Sequence, residues 1–193
     1  TAAESPEDPI LRDFSAKCLD EYLSWSVRQN RSENVDKFFL RLIDICRHNN
    51  CRKRLAACQI FNGIYRTFRE YDDLIDKYLL ELFVDYMLCL QKCQYEDSDG
   101  IVCTIASERT IAHLERILIK KRILLSKKEH FRITPRVLKD ATVPSFVDWL
   151  FHNIGKTDVK FRRKCLELML NLESKVSLRD RCQKESLHSL IER

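Results

Sequence analysis

The run from Lys53 to Glu70, KRLAACQIFNGIYRTFRE, constrains this chain more than any other stretch. Leu55, Cys58, Phe61, Ile64, Tyr65 and Phe68 recur at steps of three and four, which sets them on one face of an α-helix. Gln59, Asn62, Arg66 and Arg69 recur at the same steps on the opposite face. A helix with two such faces is not stable alone in water, because its apolar stripe needs a partner. Gly63 sits inside it at a cost of about 1 kcal/mol relative to Ala, which suggests a close approach by another helix there. The next helical pattern begins almost at once, at Asp72 or Asp73. A connection that short implies an antiparallel hairpin.

Similar patterns fill the rest of the chain. A loop is expected over residues 1–8, and a helix from about Pro9 to Gln29, with Asp8 as N-cap and Leu11, Phe14, Cys18, Tyr22 and Trp25 as its stripe. A second helix follows from Ser32, read as its N-cap, to Arg47. The fourth, about Asp73 to Gln94, is apolar on more than one side and is expected to be central. After a polar loop at Tyr95–Gly100 comes a long helix, about Ile101 to Leu125, then a basic connection over 126–141. A sixth helix, about Pro144 to Asn153, should end at Gly155 as C′ residue. Thr157 is expected to cap a seventh and Ser177 an eighth. With only 3 Gly and 4 Pro in 193 residues, long helices are favoured over a turn-rich β fold. The expected fold is all-α: about eight helices in stacked antiparallel pairs, a HEAT-like α-solenoid segment whose repeats are too degenerate to show a period. Its parts are the loop, 9–94 as two helix pairs, 95–125 as the long helix, 126–141 as the connection and 142–193 as the last helices.

The chain opens on Thr1 rather than Met and ends on Arg193 within an expected helix, which reads as a piece of a longer protein. No apolar run approaches the length needed to span a bilayer, so no membrane partner is expected. The 9 Cys are odd in number and scattered, and most fall at helical core positions; they read as reduced thiols in a cytosolic or nuclear protein.

Three constellations are candidates for chemistry. The basic one runs through Arg116, Lys120, Lys121 and Arg122 at the end of the long helix, then Lys127, Lys128, His130, Arg132, Arg136 and Lys139. Such groups suit phosphate or an acidic protein surface, and equally a solvated loop beside a helix C-terminus. Phe131 is the one aromatic near them, so base stacking has little support. Cys46, His48, Cys51 and Cys58 resemble a metal set, but Cys46 and Cys58 point into helical cores. Cys89 and Cys93 lie one turn apart with no matching second pair, so no metal site is expected. No P-loop, GxSxG, HExxH or kinase HRD and DFG signature occurs, and neither catalytic residues nor a small-molecule ligand is expected.

The Lys53–Glu70 run, with LRDFSAKCLDEYLSWSV (Leu11–Val27) before it and VDWL (Val147–Leu150) and RRKCLELML (Arg162–Leu170) after it, resembles the helical-repeat region of the catalytic subunit of DNA-dependent protein kinase. The resemblance covers most of the chain. It implies a non-catalytic scaffold segment of a nuclear serine/threonine kinase of double-strand break repair by non-homologous end joining. Its neighbours would be other helical repeats of the same chain. The Ku heterodimer and DNA ends would be partners of the parent, and ATP and magnesium would belong to the parent's kinase domain. The rival readings are a direct nucleic-acid-binding helical module and an adaptor segment of an unrelated HEAT-repeat protein.

Overall fold

A computed structural model describes residues 9–93, 98–125, 132–156 and 158–175. Seven helices and no strand occur among the described residues: α1 (Pro9–Arg28), α2 (Ser32–Arg47), α3 (Cys51–Glu70), α4 (Asp72–Lys92), α5 (Ser98–Leu125), α6 (Val143–Ile154) and α7 (Val159–Lys175). The expected loop over 1–8, the Asp8 cap, Thr157 and the eighth helix with its Ser177 cap lie outside the described residues. The contacts divide the chain between Phe146 and Val147, inside α6, where the sequence carries no break in pattern.

In the first unit the helices pack on neighbours one or two steps away. α1 meets α2 and α3, α2 meets α3 and α4, α3 meets α4 and α5, and α4 meets α5. That sets α1, α3 and α5 in one layer and α2 and α4 in the other, the neighbour pattern of stacked helix pairs. Tight connections enforce it. Tyr71 alone separates α3 from α4. At the end of α1, Asn30 takes the left-handed conformation at φ 52°. Arg31 N–H donates to Ser26 O at 2.9 Å and Asn30 N–H to Val27 O at 3.0 Å, a Schellman closure with Asn in the place usually held by Gly.

The α3 stripe behaves as its spacing predicts. Cys58, Phe61, Ile64 and Phe68 are buried, while Arg66 and Arg69 face solvent. The close approach expected at Gly63 is to α1: a Cβ on Gly63 would stand 3.0 Å from the Cβ of Ala16. α4 is central, with every residue from Leu74 to Met87 except Lys77 buried. Aromatic rings tie it to both neighbours. Phe39 of α2 stacks on Tyr78 at 4.2 Å, Phe61 of α3 meets Tyr86 at 5.5 Å, and Tyr86 Oη donates to Ala57 O at 2.8 Å. In the second unit Phe161 of α7 packs edge-on to Trp149 of α6 at 6.1 Å, beside buried Leu150, Cys165 and Leu168.

Several expected caps fall elsewhere. Ser32 is the first helical residue of α2, after Arg31, and no side chain caps that end. Asp72 and Asp73 occupy the first turn of α4, where their charge suits the positive end of the helix. Gly155 does not adopt a left-handed conformation. At α7, Asp158 Oδ1 accepts from Phe161 N–H at 2.8 Å and closes the first turn.

α4 also buries three acids that the apolar pattern concealed: Asp76, Glu81 and Asp85. Arg47 of α2 meets two of them, donating from Nε to Asp85 Oδ1 at 2.8 Å and from Nη2 to Glu81 Oε1. Glu81 Oε2 and Asp85 Oδ2 have no partner among the described residues. Burial pushes the Asp85 carboxyl up to about 6, against the pull of Arg47, and pushes Glu81 up as well. A group whose folded pKa is raised stabilises the fold fully below its unfolded pKa, near 4, and loses that contribution as pH rises through about 6. Asp36 acts in the opposite sense. Burial opposes its charge, but hydrogen bonds from Lys77 and Tyr78 lower its pKa, so its contribution is lost only as pH falls through the carboxylate range. We therefore expect Asp85 to contribute about 1 kcal/mol more stability at pH 5 than at pH 7, read in urea unfolding as the change that Asp85→Asn makes to the difference between the two pH values. A pH 5-to-pH 7 difference left unaltered by Asp85→Asn would contradict the assignment.

Candidate nucleic-acid interface

The described members of the basic cluster read along the sequence do not share one surface. Arg116 and Lys120 are exposed on α5. Lys121, one residue on, turns away and pairs with Asp72 at 2.6 Å. Arg122 lies in α5, but its side chain is outside the described residues, as are Lys127, Lys128 and His130. Arg132 is buried. Its Nε and Nη2 each stand 2.6 Å from Asp76 Oδ1, and Nη1 donates to Ala141 O at 3.3 Å and Leu125 O at 3.5 Å. It pins the returning chain to α4 and is not available to phosphate. Arg136 and Lys139 are exposed beyond it, with Arg136 close enough to favour the ionised form of Glu81.

What the structure assembles instead is a stripe across α5 and α3. Arg109, His113, Arg116 and Lys120 are spaced by four, three and four, so they share one face of α5. α3 supplies the adjoining side. Tyr65 stacks on His113 with ring centroids 4.1 Å apart, and the Arg69 guanidinium lies over the Tyr65 ring at 5.4 Å from its centroid. The three arginines act on the imidazole between them: burial pushes the His113 pKa down, and Arg116, Arg109 and Arg69 push it further. Arg109 also lines a groove of about 450 Å³ with Gln59, Asn62 and Gly63 of α3 and Ala16, Lys17 and Asp20 of α1. Among the described residues no carboxylate pairs with Arg69, Arg109, Arg116 or Lys120. The sequence reading missed Arg69, Arg109 and His113. The helical spacing along α5 was the available signal; adjacency in the chain drew attention to Lys121 and Arg122 instead.

The metal set considered from sequence is not assembled. Cys46 and Cys58 are buried in the core, and His48 is exposed with Nδ1 accepting from Asn50 N–H at 2.9 Å. A different trio comes together: the sulfurs of Cys51, Cys93 and Cys103 lie within 4.8 Å of one another.

A family model described as the CC1/2 region of the DNA-dependent protein kinase catalytic subunit matches residues 2–192. The chain belongs to this family. The DNA-dependent protein kinase catalytic subunit of Xenopus laevis is 32% identical over 210 aligned positions, covering 100% of this chain and 5% of that protein. The Mus musculus subunit is 30% identical over 203 positions, covering 96% of the chain and 5% of its own length. The Dictyostelium discoideum subunit is 26% identical over 187 positions, covering 79% of the chain and 4% of its own length. The chain thus spans about 5% of the length of the catalytic subunits it matches. It corresponds to a helical segment of a DNA-dependent protein kinase catalytic subunit.

Proposed function

We propose that this chain is a non-catalytic scaffold segment of a nuclear serine/threonine kinase that acts in double-strand break repair by non-homologous end joining. Its immediate partners would be neighbouring helical repeats of the same protein. The Ku heterodimer and DNA ends would be partners of the whole kinase, and ATP and magnesium would be bound by its kinase domain outside this chain. The observation that carries the reading is the outer face of α1. Phe14 is 63% exposed and Trp25 50%, with Leu11 and Tyr22 on the same helix also open. Leu11, Phe14 and Tyr22, together with α2 residues, line an apolar groove of about 630 Å³. In a stack of helix pairs such a face is covered by the next pair.

The test is Phe14→Asp with Trp25→Asp. In the isolated chain both positions are exposed, so thermal stability should change little. In the full-length kinase the pair should open the region to limited proteolysis. Unchanged protease resistance there would mean that no neighbour covers α1, and the scaffold reading would lose its support.

The stripe formed by Arg69, Arg109, Arg116, Lys120 and the Tyr65–His113 stack favours a second reading, direct contact of this segment with nucleic-acid phosphates. The two are compatible, since a scaffold that encloses DNA presents cations to it.

A further inference from the structure

The structure gathers thiols where the end of α4 meets the starts of α3 and α5. Cys51 is the first residue of α3, Cys93 closes α4, and Cys103 lies in the second turn of α5. Cys93 Sγ is 2.9 Å from Cys103 Sγ and 3.9 Å from Cys89 Sγ, one turn back on α4. Cys89, Cys93 and Cys103 are buried, whereas Cys51 is half-buried and opens the cluster to solvent.

A second observation bears on the charge of this cluster. Arg54 of α3 is 3% exposed. It donates from Nη1 to the carbonyls of His48 at 3.1 Å and Asn49 at 2.6 Å, and from Nη2 to Lys92 O at 3.3 Å. Nη2 also stands 3.9 Å from Cys93 Sγ, and Nε has no partner. Among the described residues no carboxylate pairs with this buried cation. A guanidinium out of water calls for an anion, and the groups beside it able to become one are the thiols.

We propose that Cys51, Cys93 and Cys103 form a site for a thiophilic d10 cation, zinc(II), charge-balanced by Arg54, with Cys89 adjoining at 3.9 Å from Cys93. A tetrahedral zinc–thiolate centre with Zn–S near 2.3 Å sets its sulfurs about 3.8 Å apart. The separations among Cys51, Cys93 and Cys103, from 2.9 Å to within 4.8 Å, bracket that value. Binding deprotonates each ligating thiol, and the released protons pass to solvent. The cation would join the end of α4 to the starts of α3 and α5.

The experiment uses the reduced protein under anaerobic conditions, with Zn²⁺ and with Co²⁺ as its spectroscopic stand-in. One zinc per chain in native mass spectrometry is expected, together with thiolate-to-cobalt charge-transfer absorption that zinc abolishes. Cys51→Ser combined with Cys93→Ser should lower zinc affinity by at least about tenfold, while Cys18→Ser, at an exposed position, should not. A second readout needs no substitution: zinc should slow alkylation of Cys51 and leave that of Cys18 unchanged. The proposal is overturned if the folded chain binds no zinc, if binding survives loss of Cys51 and Cys93, or if zinc leaves Cys51 as reactive as before.

Discussion

Arg132→Ala should lower the free energy of unfolding by about 3–5 kcal/mol, among the largest effects expected of any single substitution in this protein. Both partners of the Arg132–Asp76 pair are nearly excluded from water, at 6% and 7% exposure. Removing the guanidinium leaves a buried carboxylate without its counter-charge and deprives Leu125 O and Ala141 O of a donor. Asp76→Ala should cost a similar amount, because it strands the cation instead. The double substitution should cost clearly less than the sum of the two, since neither charge is then left alone. Urea denaturation of the four proteins measures this directly. Additive losses would mean that the two residues act independently, and an Arg132→Ala effect within about 0.5 kcal/mol would place Arg132 in the ordinary surface class.

Removing four cations from the α5–α3 stripe should change DNA binding by a comparable amount, and in a way that salt reveals. Each phosphate neutralised on duplex DNA contributes about 0.9 to the slope of log K against log salt. Arg69, Arg109, Arg116 and Lys120 replaced together by Ala should therefore reduce that slope by about 3–4, with affinity falling alike for unrelated duplex sequences. Fluorescence anisotropy with a blunt duplex at several salt concentrations reads both quantities. The useful contrast is Lys121→Ala, whose ammonium is engaged by Asp72 and should matter less. A quadruple variant that binds with unchanged slope would remove the stripe as a phosphate surface. Absence of binding by the unaltered chain at low salt would leave the scaffold reading alone.

The fold was legible wherever a periodic stripe met a partner of its own kind. α3 and α4 follow their apolar spacing, and the cost of Gly63 in a helix pointed to its contact with Ala16. What periodicity could not disclose is polar burial. Asp76, Glu81 and Asp85 sit on a helix whose apolar residues already account for its position. Their arginines lie 56, 34 and 38 residues away in the chain. The described members of the basic cluster part for the same reason. Lys120 and Lys121 are adjacent in sequence but a third of a helical turn apart in direction, which suffices to send one to solvent and the other to Asp72. The thiol cluster draws on Cys51, Cys89, Cys93 and Cys103, whose nearness depends on three helix ends meeting.

Because α1 to α5 pack on helices one or two steps away, the main interfaces of this unit join near neighbours in helix order. In a stack of this kind stability adds up interface by interface, so a change at one helix pair is felt by the pairs beside it and fades beyond them.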